Sequence, residues 1–210
     1  ERKVVEGLAL YSTAPQGILT GLKLSGTQKV FVGESVQYTA SGWDEYYNPA
    51  NLNTVTLEYS DTAGLGAWQG NTFTAQKAGT TEVAAASGVA RGTLSVQVLG
   101  AESVKNLELS FDKTSVVSGG TAKLTAKATL TDGTTKTVSP SMLTLTAEGG
   151  SISADGVLTA TIPSGTVKVT AAFGNVTATK TIKIDSAAKQ YALNTLDGVS
   201  GHVSPSSITG

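Results

Sequence analysis

One histidine and no cysteine limit the chemistry this chain can support. His202 stands in the C-terminal stretch, so a serine–histidine–aspartate triad would have to take its base from outside the repeated body of the chain. Zinc sites draw on several nitrogen or sulfur ligands, and here there is a single imidazole and no thiolate. Calcium prefers oxygen, with roughly six to eight ligands. The carboxylates Asp44, Glu45, Asp61, Asp112, Asp132 and Asp155 are scattered and form no Asp-x-Asp-x-Asp run. Asp132-Gly133 and Asp155-Gly156 fit tight turns, where Asp tolerates the required backbone and Gly takes positive φ. Glycoside hydrolysis needs two carboxyl groups held about 5–10 Å apart across a cleft, and compact strand-built units offer no obvious cleft. The sequence assigns no catalytic residue, no metal ligand and no cofactor.

Aromatic side chains offer a different chemistry. The run Trp43-Asp44-Glu45-Tyr46-Tyr47-Asn48 sets three rings among carboxylates and an amide. Flat rings stack on the apolar faces of sugars while acids and amides meet the hydroxyls. Trp43, Asp44, Tyr46 and Tyr47 are therefore the candidate contacts for a cell-wall glycan. Packing is the competing reading, and the sequence favours it: Trp43 would be the core tryptophan of a sandwich, with Tyr46 and Tyr47 packed around a loop. Neighbours on a strand face opposite ways, so at least one of the two tyrosines is expected at the surface.

The elements that would position these residues come in two copies about 85 residues apart, a period suited to an independent sandwich and too long for a solenoid unit. Leu22-Lys23-Leu24-Ser25 returns as Leu107-Glu108-Leu109-Ser110, and Val32-Gly33-Glu34 as Ser118-Gly119-Gly120. Gly79-Thr80 returns as Gly165-Thr166, and Leu94-Ser95-Val96-Gln97-Val98 as Lys180-Thr181-Ile182-Lys183-Ile184. Inside each copy, apolar residues alternate with polar ones. Val36, Tyr38 and Ala40 face inward against Gln37, Thr39 and Ser41, and Leu124, Ala126 and Ala128 repeat the pattern. Thr and Val predominate, and their branched Cβ suits a pleated strand. The 24 glycines supply turns. Each copy yields roughly seven short strands with turn signals every 8–12 residues, the pattern of a sandwich.

The expected organisation is a tail of an upstream domain (1–20), two sandwich modules (21–100 and 101–186), and the start of a further domain or a tail (187–210). The linker Gly100-Ala101-Glu102-Ser103 is short, so motion between modules should be hinge-limited. With 15 basic and 16 acidic residues the net charge is −1, which gives no field for nucleic acid or an anionic membrane. No apolar run reaches the roughly 20 residues of a membrane helix, and the expectation from its first residues is that no signal peptide lies within this sequence.

Leu-x-Leu-Ser, the Val-x-x-Gly turns (Val30 to Gly33, Val116 to Gly119), the Gly-Thr pairs and the closing Val/Ile strands resemble bacterial immunoglobulin-like domains of the group 2 type over 22–98 and 107–184. That resemblance implies an all-β fold of two tandem immunoglobulin-like Greek-key β-sandwiches, in exported surface proteins, S-layer proteins, adhesins or large glycan-acting enzymes. Segment 43–49 departs from the pattern. Glu1 to Gly17 is similar to the end of a bacterial phosphodiester glycosidase domain, without any catalytic position of that family. The expected function is a non-catalytic spacer or presentation unit of a secreted or surface-attached bacterial protein, with a glycan-acting, phosphodiester glycosidase-type parent implied by the second resemblance. The alternatives are a carbohydrate-binding module built on 43–49 and an S-layer or adhesin-type assembly module. Expected partners are flanking domains of the same polypeptide and cell-wall polysaccharide, with no nucleic acid and no membrane insertion. The expected location is extracellular or on the cell surface.

Overall fold

The computed structural model describes residues 17–186. The readings for 1–16 and 187–210, His202 included, lie outside the described residues. The fold is all-β, with only three single-turn 3-10 helices (Leu52–Thr54, Ala101–Ser103 and Pro140–Met142) among the described residues.

The second repeat shows the architecture plainly. Strands β10 (Val104–Phe111), β12 (Thr121–Leu130), β16 (Val157–Ala160) and β15 (Gly150–Ile152) lie in that order in one sheet, with β13 (Thr135–Val138) also paired to β12. The facing sheet runs β11 (Ser115–Val117), β18 (Val176–Asp185), β17 (Gly165–Phe173), β14 (Thr144–Glu148). Along β12, Ala122, Leu124, Ala126, Ala128 and Leu130 are buried while Thr121, Lys123, Thr125 and Lys127 are exposed. That period of two sends one face into the core with Leu158, Val167, Val169 and Ile182 from the other strands.

The first repeat follows the same course through β1 (Leu19–Ser25), β2 (Lys29–Phe31), β3 (Ser35–Gln37), β4 (Thr39–Asp44), β5 (Glu58–Asp61), β6 (Gly66–Gln69), β7 (Thr72–Ala75), β8 (Gly79–Ser87) and β9 (Ala90–Leu99). Each is an immunoglobulin-like sandwich. The lead-in is two strands, because β1 pairs with β4 while β2 crosses to run parallel to β9; β10 and β11 split identically.

Two differences separate the copies. The long β12 has its counterpart broken into β3 and β4 at Tyr38, whose ring is fully buried and whose hydroxyl donates to the Thr27 carbonyl at 2.8 Å. And the counterpart of β13 shrinks to a single bridge, Trp43 to Pro49, since proline has no N–H to continue the ladder.

An autonomous second module requires residues 103–186 to fold alone, with reduced stability because Phe31 and Leu99 of the first repeat also pack on this core. The expected circular-dichroism result is a cooperative β-type melt. Val169→Asp within it should cost more than about 4 kcal/mol and abolish the melt, since the position is fully buried.

Candidate functional site

The most elaborate constellation of side chains is the joint between the repeats. Phe31 ends β2 and is followed by the turn Val32-Gly33-Glu34. Glu34 folds back on it: Oε2 accepts from the Phe31 N–H at 2.8 Å, and the Glu34 N–H donates to the Phe31 carbonyl at 3.0 Å. Gly33 closes the turn at φ 90°, a conformation glycine adopts without strain. This fixes the direction of the Phe31 ring, which points out of its own sandwich.

The second repeat receives it. Phe173, at the end of β17, meets Phe31 edge-on, with centroids 5.0 Å apart and planes at 62°. Lys136 on β13 holds Nζ 5.2 Å from the Phe31 centroid and pairs with Glu34 Oε1 at 3.1 Å. Phe31 has no exposed surface left. Around the rim, Lys29 Nζ donates to Asp132 Oδ2 at 2.6 Å and to Thr134 Oγ1 at 2.7 Å. The linker adds a backbone lock. Ala101 packs against Gly174, where an added Cβ would lie 2.6 Å from the alanine methyl, and the Thr131 N–H donates to the Ser103 carbonyl at 2.9 Å.

These contacts differ in weight. Burial of Phe31 dominates, worth about 3–5 kcal/mol by comparison with large-to-small core changes. The edge-on pair adds about 0.5–1.5 kcal/mol, and the ammonium over the ring about 0.5–2 kcal/mol. The largely buried Lys136–Glu34 pair chiefly sets register, because desolvation offsets much of its attraction. Asp132 is held well below the usual carboxylate range, first by the Lys29 ammonium and then by the Thr134 hydroxyl and amide.

The aromatic segment 43–49 sits at the opposite end of the first repeat. Asp44 is buried and accepts from the Gly17, Tyr46 and Asn48 N–H groups at 3.0, 2.9 and 2.9 Å and from Asn48 Nδ2 at 3.2 Å. Burial pushes its pKa up, but these donors outweigh that and hold it below the ordinary value. Its oxygens are thus committed to shaping the loop. Trp43 is half-buried across Gly21 and belongs to neither core cluster. The core tryptophan is Trp68, which packs with Tyr38, Tyr59 and Phe73 and donates Nε1 to Asp61 Oδ1 at 3.1 Å. Tyr46 and Tyr47 are both exposed, against the expectation of packing around the loop, because they lie in a turn and not on a strand. Tyr47 is the one non-glycine residue with positive φ, 63°, among those described.

The structure therefore leaves the four candidate glycan contacts in one segment but gives them different roles: Asp44 as scaffold, Trp43 as partial cover for β1, Tyr46 and Tyr47 as surface. Two surface hollows, one lined by Thr56, Glu58 and Ala86 to Gly88 and one by Ala101, Glu102, Val104 and Gly174 to Val176, each present a single carboxylate. Among the described residues no three His, Asp or Glu side chains gather as a metal site would need. Sequence reasoning weighed Asp132 as a calcium carboxylate and as a turn residue, and gave Phe31, Glu34 and Lys136 no role at a joint. The signal was present in the mismatch between copies: Phe31 stands where the second repeat has Val117, Glu34 where it has Gly120, and Phe173 where the first has Ser87.

No protein-family model matches the sequence, and no curated protein matches it. Solved structures do resemble it. Domains 5–6 of the S-layer protein SbsC match at 16% identity and a TM-score of 0.38, over 81% of this chain and 99% of that one. The Escherichia coli adhesin FdeC matches at 18% identity and 0.35, over 83% and 67%. The D0-D1 domain of intimin matches at 19% and 0.29, over 80% and 99%. Scores this low carry no functional inference. The glycosidase resemblance rests on residues of which only Gly17 is described.

The joint should respond to acid. A carboxyl whose folded pKa is depressed contributes stability above its unfolded value, here 3.8, and loses it as pH falls through the folded value. Asp132 therefore stays ionised in the fold as the pH falls past 3.8, so the Lys29 and Thr134 resonances should hold there and shift only well below it, and Asp132→Asn should remove that response.

Proposed function

We propose that this chain is a non-catalytic, stiff tandem unit of a bacterial extracellular or cell-surface protein, of the adhesin or surface-assembly type, which holds neighbouring domains of the same polypeptide at fixed reach and angle. One observation carries the reading: Phe31 is completely buried in a joint made by the other repeat. A flexible tether would have no need of it. A four-residue linker restricts position but leaves rotation free. A buried ring, an ion pair that gives it register and a second ion pair at the rim remove that rotation as well. The composition and the sequence resemblance to surface-protein immunoglobulin-like domains support the same reading.

Binding of cell-wall polysaccharide is the second reading, favoured by two adjacent exposed tyrosines. It is weaker, because Asp44, the acid best placed to meet sugar hydroxyls, already accepts from four donor groups.

Small-angle X-ray scattering tests the primary reading. The full chain should give one narrow distance distribution. Phe31→Ala, losing about 3–5 kcal/mol at the joint, should broaden it while both repeats remain folded by circular dichroism. A distribution equally broad with and without the substitution would defeat the proposal.

A further inference from the structure

We propose that the far end of the first repeat, the face made by Ile18, Tyr46, Tyr47 and Val89, is the seat of a preceding folded domain in the same polypeptide, docked as the first repeat docks on the second. This rests on the stiff-tandem reading and extends it by one joint.

The two repeats build this end in the same way. The Glu45 N–H donates to the Ile18 carbonyl at 3.2 Å, as the Thr131 N–H donates to Ser103 at 2.9 Å. Tyr47 donates to the Asp44 carbonyl at 3.0 Å, as Gly133 donates to Leu130 at 2.9 Å. Asp44 donates to the Asn48 carbonyl at 3.0 Å, as Leu130 donates to Thr134 at 2.8 Å. Tyr47 and Gly133 both take positive φ, 63° and 84°. Strands β1 and β10 carry the same register shift at their starts, Leu19/Gly21 and Val104/Asn106. The β8–β9 and β17–β18 turns close on matching last rungs, Ser87 to Ala90 and Phe173 to Val176.

Tyr46-Tyr47 thus stands where Asp132-Gly133 stands, and Ser87 to Val89 where Phe173 to Asn175 stand. In the second repeat these two turns are the ones that grip the preceding module, through Asp132, Thr134 and Phe173. In the first repeat they present Tyr46, Tyr47 and Val89 uncovered. Ile18 is 72% exposed, Tyr46 67%, Tyr47 84% and Val89 80%, the four most exposed large hydrophobic side chains among the described residues, with Val117 next at 51%. Putting a tyrosine at the left-handed position that Gly133 occupies costs backbone strain that the first repeat's own core does not recover. The loop beneath is held rigid by Asp44, which keeps both rings displayed.

The chain enters this face directly through Gly17 and Ile18. The matched end of the second repeat seats a folded module that enters through the equivalent residue Ser103, so the occupant is a folded domain that presents an apolar end to the two tyrosines.

The test compares this chain with a polypeptide extended upstream of Glu1 through the complete preceding domain, using nitration by tetranitromethane, read peptide by peptide, with buried Tyr38 as the internal control. Tyr46 and Tyr47 should be nitrated readily in this chain and at least about tenfold more slowly in the extended one. In the extended polypeptide, Tyr46→Ser with Tyr47→Ser should let the upstream domain tumble independently while the two repeats still tumble as one body, which separates failure here from failure of the Phe31 joint. Equal nitration in both polypeptides would overturn the proposal. So would protection of the tyrosines by added cell-wall polysaccharide in this chain with none from the upstream domain.

Discussion

Phe31 has no place in the core of its own sandwich. Its strand, β2, lasts three residues, and its last side chain projects past the end of the fold. Left in water, that ring would forfeit one of the largest apolar gains available to a single side chain. The second repeat supplies the missing walls with Phe173, Lys136 and the core cluster that Phe31 and Leu99 complete. The arrangement depends on this one burial. Glu34 aims the ring, Lys136 covers its face, and the Lys29–Asp132 pair sets rotation about it. Each of these polar groups would be an ordinary surface residue if the ring were removed.

The arrangement is directional. At the other end of the second repeat, Val117 takes the place of Phe31 and is half exposed, and Asp185 takes the place of Leu99. Asp185 pairs there with Ser115 and Lys183 of its own repeat. Identical backbone registers therefore end in different surfaces: an aromatic plug where a module follows closely, and a small polar end where the second repeat terminates. Stiffness in this chain is a property of a few end residues, and the strand framework is common to both copies.

Most of the fold was legible in the sequence because a sandwich is written in local signals. The alternation of Leu124, Ala126 and Ala128 and the Asp132-Gly133 and Asp155-Gly156 turns each lie within a short window, and the repeat states the pattern twice. The joint was not legible in that way. Lys136 and Glu34 lie 102 positions apart, and each has an ordinary local explanation that hides the pairing. Segment 43–49 misled for a related reason. Its composition looks like an insertion, yet its backbone is the same turn as 129–135, with Pro49 reducing the first repeat's counterpart of β13 to one bridge and Tyr47 in a glycine position. Trp43 and Trp68 could not be ranked as core residues by pattern alone, because both sit on half-buried strand positions and only packing against Tyr38, Tyr59 and Phe73 separates them.

A stiff tandem unit is a statement about two bodies moving as one, and residual dipolar couplings read that motion directly. In the weakly aligned full chain, the amides of 19–99 and of 104–185 should fit a single alignment tensor, equal in magnitude and orientation for both repeats. Two tensors of different magnitude, one for each repeat, would contradict the account.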